Sequence, residues 1–434
     1  MRFAVKFLGC KVSQADAMLA RRQLLEAGHE EVAEQEAELH VINTCCITRE
    51  AEAKSRQSVR RSLQSAREVY VAGCAVNLNA TQFEEIDLAV KAFTGTAEEV
   101  ATTMAMPGPA GAQETTSCID LEHEVAVGRR ARGSDDSWAG TRTRGFVKVQ
   151  DGCDCHCAYC IIPTVRGSAR SRAASAILEE VRRRVAQNQR EIVMTGISVG
   201  DYRDAERGLE LGELLVQAAR VPGVERVRIS SIEVIHVRDS LVEALQREPK
   251  VCPHLHVPMQ SGDDGVLEAM GRHYDADEYL RTIRDLREAV PHINLTTDVI
   301  VGFPNEDEDA FQRTLGMVAE AGISRVHTFS YSSRPGTAAE ALGDLVEPAE
   351  KKRRSRTMRG LSEVRSRHHR TGKLQGTERV LVDKVADTQC SGYTEDYTRC
   401  YLPAGAAAAG QVLEVEVHEL YADGLLATPA PVAA

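Results

Sequence analysis

No apolar run in this chain reaches the ~18–20 residues that a membrane span needs, although 43% of its residues are hydrophobic. The opening stretch, MRFAVKFLGCKVSQAD, soon turns polar and has no small-residue cleavage site behind an apolar segment. An export signal is therefore not expected, a cytoplasmic location is, and no membrane partner is foreseen. Net positive charge is also missing. The formal charge of −11 argues against nucleic-acid binding through the whole surface and leaves room only for a local basic face. No internal repeat is found. Cysteine, by contrast, is plentiful at 12. Clustered thiols without an export signal point to metal ligation in a reducing compartment rather than to disulfides.

The 434 residues suffice for about three domains. Over the first ~95 residues, FAVKFLG, LHVINT and VYVAGCAV read as strands alternating with helical patterns such as AMLARRQLLEAG, which implies a parallel α/β sheet. The Gly-, Ser-, Pro- and charge-rich stretch 104–142 reads as a linker. From 143 to 350, six strand candidates (FVKVQ, EIVMT, RVRISS, HLHVP, NLTTDVIVG and SRVHTFSY) interleave with helices, as in a complete or partial parallel barrel with chemistry at the C-terminal strand ends. A basic helical connector (351–371) follows, then a small β-barrel over 372–434 whose last residues, ATPAPVAA, read as a disordered tail.

The loop VQDGCDCHCAYCIIPTVRG carries Cys153, Cys157 and Cys160 in a C-x3-C-x2-C spacing. Cysteine thiolates are the usual ligands of a four-iron cube, and three of them leave one iron open for a small molecule. A zinc site using His156, or unligated thiols, is the other reading, although zinc more often takes paired C-x2-C halves. Cys155 is surplus to the spacing. A second trio, Cys10 in LGCKVS, Cys45 in INTCCIT and Cys74 in AGCAV, ends three predicted strands. Strand ends of a parallel sheet share one edge, so these thiols either converge or are three separate buried cysteines; spacing alone leaves both open.

The first loop resembles that of radical S-adenosylmethionine (SAM) enzymes. The order LGC, INTC and GC ahead of it resembles the radical SAM methylthiotransferase family, over nearly the whole chain. The resemblance implies two [4Fe–4S] clusters. One, on Cys153, Cys157 and Cys160, binds SAM and cleaves it to a deoxyadenosyl radical; an auxiliary one, on Cys10, Cys45 and Cys74, supplies or relays sulfur. It also implies SAM contacts from Tyr159, from Thr195 and Gly196, from Ser230, Ser231 and Glu233, from Gln260, and from Gly302 and Glu306. The segments GCKV, TGIS and GYTEDY resemble the branch that methylthiolates N6-threonylcarbamoyladenosine at tRNA position 37, beside the anticodon. Ser13, Asp16 and the sequence GFPNE depart from the family pattern. The implied partners are a tRNA carrying that nucleoside, a flavodoxin- or ferredoxin-like electron donor and a sulfur donor; the implied last domain is a TRAM RNA-binding barrel. Rival readings are methylthiolation of a ribosomal-protein aspartate and a non-catalytic iron–sulfur RNA-binding protein.

Basic residues concentrate at 54–61, 129–144, 166–172 and 351–373. Each is a solvated face or a phosphate-binding one. Arg166, Arg170 and Arg172 follow the cluster loop and are RNA-contact candidates, as are Tyr393 and Tyr397, which either stack on bases or pack internally.

Overall fold

The computed structural model describes residues 1–105 and 143–431. The chain divides into two compact units, Met1–Gly140 and Thr141–Ala434, which are taken in turn. Most of the expected linker, the basic residues 129–142 and Cys118 lie outside the described residues.

The first unit is a five-stranded parallel sheet in the order β2-β1-β3-β4-β5. Its strands are β1 (Arg2–Phe7), β2 (Glu30–Glu31), β3 (Leu39–Thr44), β4 (Glu68–Gly73) and β5 (Val90–Ala92). The two short strands escaped the sequence reading because two or three residues carry no period. The three that were foreseen, β1, β3 and β4, are neighbours in the sheet. Buried Phe3, Leu24, Leu39 and Val41 join Val100 and Met104 in one core. Met104 thus ends a packed helix, Ala97–Ala105, rather than opening a linker.

The second unit begins with β6 (Arg144–Lys148), followed by the short pair β7 (Gln150–Asp151) and β8 (Arg170–Ser171). Then come β9 (Glu191–Thr195), β10 (Arg226–Ile229), β11 (His254–His256), β12 (Asn294–Val301) and β13 (Arg325–Ser330). The sheets β10-β9-β6 and β11-β12-β13 are both parallel. They are joined by a Val227–Val251 bridge and by the Ile232 N–H donating to the His256 carbonyl at 2.9 Å. The result is the expected open arc of six strands and outer helices. Period-2 alternation sorts its side chains. Val147, Ile192, Met194, Val227, Ile229, Leu255, Leu295 and Val299 enter the core beneath the helices. The alternate positions face the lumen.

The basic helix Pro348–Thr371 runs antiparallel to β13. Lys351 Nζ donates to the Tyr331 carbonyl at 2.9 Å, Ser362 Oγ accepts from Val326 N–H at 2.9 Å, and Arg365 Nε donates to the Ile323 carbonyl at 3.1 Å. A closed barrel follows, in the order β14-β15-β16-β18-β17. Its strands are β14 (Thr377–Val385), β15 (Gln389–Thr394), β16 (Arg399–Pro403), β17 (Val412–Tyr421) and β18 (Gly424–Pro429). Residues 427–429, expected in a disordered tail, close this barrel because Ala427 pairs with Val417 and Pro429 with Val415.

The β15–β16 hairpin caps the N-terminal end of the six-strand arc. Glu191, Arg226 and Arg228 are 1%, 1% and 2% exposed there, and the Glu191 carboxylate lies 3.0 Å from Arg228 Nε. Arg226 donates to the Tyr393 carbonyl at 2.9 Å, and Arg228 to the carbonyls of Glu395 (2.9 Å) and Thr394 (3.2 Å). Asn294 Nδ2 donates to the Asp396 carbonyl at 2.8 Å.

Candidate active site

Both cysteine trios lie at C-terminal strand ends. In the first unit, Cys10, Cys45 and Cys74 follow β1, β3 and β4, three adjacent strands. Two glycines let the loops close on each other. A Cβ on Gly9 would fall 2.9 Å from the Cys45 sulfur, and one on Gly73 would fall 2.0 Å from Asn43 Oδ1. Both glycines have φ near +100°, at +113° and +95°, where L side chains are strained. Ser55 Oγ accepts from Cys45 N–H and donates to its carbonyl, each at 3.1 Å, which fixes the INTC turn. Cys10 is exposed, and Cys45, Cys46 and Cys74 are buried.

In the second unit, the loop after β6 holds Cys153, Cys157 and Cys160, partly exposed and free of disulfides. Gly152, at φ +71°, passes so close to the Ser168 carbonyl that a Cβ would meet it at 2.0 Å. Cys153 N–H donates to the Gly167 carbonyl at 3.1 Å, and Ala158 N–H to the Met270 carbonyl at 2.8 Å. Cys155 has its N–H 3.4 Å from the Cys153 sulfur. Thiol hydrogen bonding with Cys153 raises the Cys155 pKa and lowers that of Cys153. Cys155 thus supports its neighbour's sulfur through its backbone N–H. Burial pushes the Cys160 thiol up to about 11, so a cluster bound there must displace that proton.

The expected SAM-handling positions gather at the same end of the arc. The hydroxyls Thr195 Oγ1 and Ser230 Oγ, at the ends of β9 and β10, are buried without a hydrogen-bond partner among the described residues. Buried hydroxyls are seldom left so, and an unfilled ligand site accounts for them. Gly196 packs against Gln150, whose Oε1 accepts from Ile197 and Ser198 N–H at 3.1 and 2.8 Å, tying this turn to the cysteine loop. Gln260 holds φ +64° and bonds β12 through its backbone. Three thiols on one loop beside orphaned hydroxyls fit a cluster with bound SAM.

Arg272 was missed in the sequence. It is 5% exposed at its side chain and pairs with Glu233. Its Nη1 lies 3.2 Å from the Cys157 sulfur and 3.4 Å from Tyr159 Oη. A lone arginine in MGRHYD offers no spacing to detect; the turn that ends the helix Asp264–Ala269 supplies it.

Several expected contacts are corrected. Half of the Glu306 carboxylate is engaged by the chain itself: its side chain is fully buried, with Oε1 accepting from Arg354 at 2.6 Å and from Gly302 N–H at 2.8 Å, while Oε2 has no hydrogen-bond partner among the described residues. Arg166 is not free for phosphate, because it pairs with buried Asp151 at 3.0 Å with 7% of its side chain exposed. Arg172 is paired with Glu180 at 2.9 Å. Arg170 stays exposed, donating to the Arg166 carbonyl at 2.8 Å. Tyr397 is engaged inside the unit: its ring stacks on Tyr393 at 4.8 Å and lies 4.7 Å from the Arg228 guanidinium, and its hydroxyl accepts from Arg144 at 2.9 Å. The GYTEDY segment is thus the hairpin tip that caps the arc.

Residues 147–318 match the radical SAM superfamily model and residues 2–95 the model described as uncharacterized protein family UPF0004. Threonylcarbamoyladenosine tRNA methylthiotransferase MtaB of Thermotoga maritima is 34% identical, over 97% of this chain and 95% of its own length. The chain belongs to the radical SAM methylthiotransferase family. The Bacillus subtilis enzyme of the same name is 31% identical over 94% of this chain and 92% of its own. A tRNA-2-methylthio-N(6)-dimethylallyladenosine synthase of Nitratidesulfovibrio vulgaris is also 31% identical, over 99% and 98%. Among solved structures, the radical SAM methyltransferase TsrM of Kitasatospora setae shares the fold at TM-score 0.56 and 13% identity, over 78% of this chain and 74% of that one. The family is one of enzymes that use SAM and a [4Fe–4S] cluster, for which Cys153, Cys157 and Cys160 are the ligand set at hand. No helix among the described residues is long and apolar enough to cross a membrane.

Proposed function

We propose that this protein is a tRNA methylthiotransferase that converts N6-threonylcarbamoyladenosine at position 37 to its 2-methylthio derivative. The observation that carries the reading is the second cysteine trio. Cys10, Cys45 and Cys74 end three adjacent strands of one sheet, in a chain whose other unit bears a radical SAM loop. A radical side alone activates a C–H bond; a second thiolate set gives sulfur a place to be held. Relatives named for the threonylcarbamoyl reaction, similar over nearly the full length, support the choice of substrate.

In this reading Cys10, Cys45 and Cys74 hold the auxiliary [4Fe–4S] cluster. When bound at the first loop, cluster and SAM supply a deoxyadenosyl radical, which the inert adenine C2–H requires. The protein's own residues position and shield. Gln150 locks the cysteine loop to the Thr195–Gly196 turn, and Arg272 places positive charge against Cys157. A flavodoxin- or ferredoxin-like donor supplies electrons, and a separate donor restores sulfur.

For RNA, the exposed side of the basic helix offers Lys352, Arg356, Arg359 and Arg367, which carry no ion pair among the described residues. Phosphate neutralisation is the natural use of such a stripe. The closed five-stranded barrel after it has the size and topology of a TRAM module. The test is mass spectrometry of tRNA nucleosides from cells with and without the gene. Loss of the 2-methylthio threonylcarbamoyl nucleoside is expected, and its persistence would refute the assignment.

A further inference from the structure

The lumen face of the last three arc strands carries a ladder that the SAM-handling turns do not use. His256, Asp298 and His327 sit on β11, β12 and β13, with Asp298 in register with His327. Asp298 Oδ1 lies 3.1 Å from His256 Nε2 and 3.4 Å from His327 Nδ1. His256 Nδ1 is 2.9 Å from Thr296 Oγ1, and the two imidazoles stack at 5.2 Å. Burial pushes the Asp298 carboxyl up, yet the two imidazoles hold it down to about 2, so it is ionised. A carboxylate facing His327 Nδ1 fixes that ring and leaves its Nε2 edge toward the lumen; the side chain is 49% exposed.

The flanking positions are graded. Toward the C-terminal end, the next register pair is Ile300 and Phe329, and Phe329 is 46% exposed, unusual for phenylalanine. Toward the base, Arg325 is exposed and carries no ion pair among the described residues. From reaction end to base the wall reads aromatic, then imidazole on carboxylate, then guanidinium, over about 13 Å of strand.

Such a wall suits a flat ring bearing a polar arm that ends in an anion. We infer that this ladder receives the N6 substituent of the substrate purine and selects it. Phe329 and Ile300 take the ring, His327 hydrogen-bonds the carbamoyl group, and Arg325 pairs with the threonine carboxylate. The inference rests on the proposed substrate and adds the residues that choose it. An apolar dimethylallyl arm would desolvate the His327 Nε2 edge and offer it no partner, since Asp298 is already engaged at Nδ1. Sites built to hydrogen-bond a substrate reject analogues lacking the group by up to about 10⁴–10⁵; with His327 half-exposed, a discrimination of about 100-fold is expected.

The test uses reconstituted holoenzyme and anticodon stem-loops carrying the threonylcarbamoyl nucleoside, its carboxamide analogue or the dimethylallyl nucleoside. The readout is kcat and KM for methylthiolation, with iron content measured on every sample. Arg325→Ala should raise KM for the carboxylate RNA about tenfold and erase its preference over the carboxamide. His327→Leu should lower kcat/KM on the carboxylate RNA about 100-fold, and His327→Gln should recover part of it. If the wild type modifies the threonylcarbamoyl RNA while both variants match it, the ladder is not the selector and the proposed function stands. If the wild type leaves that RNA unmodified, both readings fall. Two histidines and a carboxylate are also a metal-ligand set. One zinc equivalent that the holoenzyme binds beyond its clusters, and that Asp298→Asn loses, would overturn the inference.

Discussion

Replacing Glu191 by alanine should unseat the small barrel from the six-strand arc. Glu191 is the anion between two guanidiniums in a dry layer: its carboxylate is 3.0 Å from Arg228 and 3.8 Å from Arg226, with all three side chains at most 2% exposed. Burial alone would raise its pKa, but the arginines, Arg228 foremost, lower it. Its contribution to stability is thus present above the ordinary glutamate range and lost as pH falls through the depressed value. Removing one partner of a buried pair costs about 3–5 kcal/mol, because the other charge stays buried. Glu395, 3.8 Å from Arg226 and 29% exposed, compensates part of this. The carbonyl acceptors on Tyr393, Thr394 and Glu395 remain, and each charge-assisted bond holds about 1.5–3 kcal/mol. A net loss of about 3 kcal/mol is expected, more than 100-fold in the unfolding constant. Chemical denaturation measures the loss, and amide exchange over residues 389–403 shows whether the hairpin loosens with it. A Glu191→Ala protein within about 1 kcal/mol of wild type, with hairpin exchange unchanged, would refute the reasoning.

Three further outcomes are expected. Cys157→Ala should abolish reductive SAM cleavage, whereas Cys45→Ala should spare cleavage and stop sulfur insertion; equal loss of both activities in the two variants would contradict the division of roles. Burial pushes the Asp151 carboxyl up, but Lys148 and Arg166 hold it down to about 2, so its stabilisation of about 2 kcal/mol is complete above about pH 4 and fades toward pH 2. Denaturation of Asp151→Asn should show a deficit at pH 7 that shrinks as pH falls to about 2, and a deficit independent of pH would exclude the charge pairing as its cause. Neutralising Lys352, Arg356, Arg359 and Arg367 together should weaken tRNA binding and flatten its salt dependence by up to about one unit of slope per residue; an unchanged slope would remove the helix from the RNA path.

The fold was legible where a pattern had length. The six arc strands each combine four or more apolar or alternating residues with a turn, and all six lie where periodicity places them. Two-residue strands such as Glu30–Glu31 have no period to read. Charge was the harder signal. Arg166 in the run RGSARSR looks like a phosphate contact, yet Asp151, fifteen residues earlier, neutralises it; a charge shows in sequence and its partner does not. Glu306 likewise has a partner that the sequence hides, because Arg354 lies on a helix far along the chain. The informative sign was the reverse case, a charge inside an apolar alternation. Arg226 and Arg228 in RVRISS, and Asp298 in TTDVIVG, break their strands' hydrophobic pattern at lumen-facing positions. The first two meet the capping hairpin and the third anchors the histidine ladder.

The position of that cap constrains how RNA reaches the reaction end. The hairpin meets the arc at Asn294, while the expected SAM-handling turn at Gly302 lies just past the other end of β12, roughly 26 Å away along the strand. The small barrel is therefore anchored at the base of the arc, away from the lumen mouth. The helix Pro348–Thr371 joins the two levels. Its first turn packs at the reaction end, where Lys351 bonds the Tyr331 carbonyl. Near its last turn His369 is 3.0 Å from Asp396 in the capping hairpin. Its 24 residues span about 36 Å, enough to cover the height of the arc. Lys352, Arg356, Arg359 and Arg367 recur on its exposed side at intervals of four, three and eight, so they lie along that span. In the proposed reading, an RNA held by the small barrel would keep its backbone on matched charge up to the mouth, while the inward side of the same helix, through Arg354 and Met358, is spent on packing. One helix thus divides most of its basic residues by face. Lys351, Arg354 and Arg365 turn inward to carboxylates or carbonyls of the arc. Of those turned outward, Arg353 is taken by Glu308 and Glu350, which leaves Lys352, Arg356, Arg359 and Arg367 for phosphate in the proposed reading.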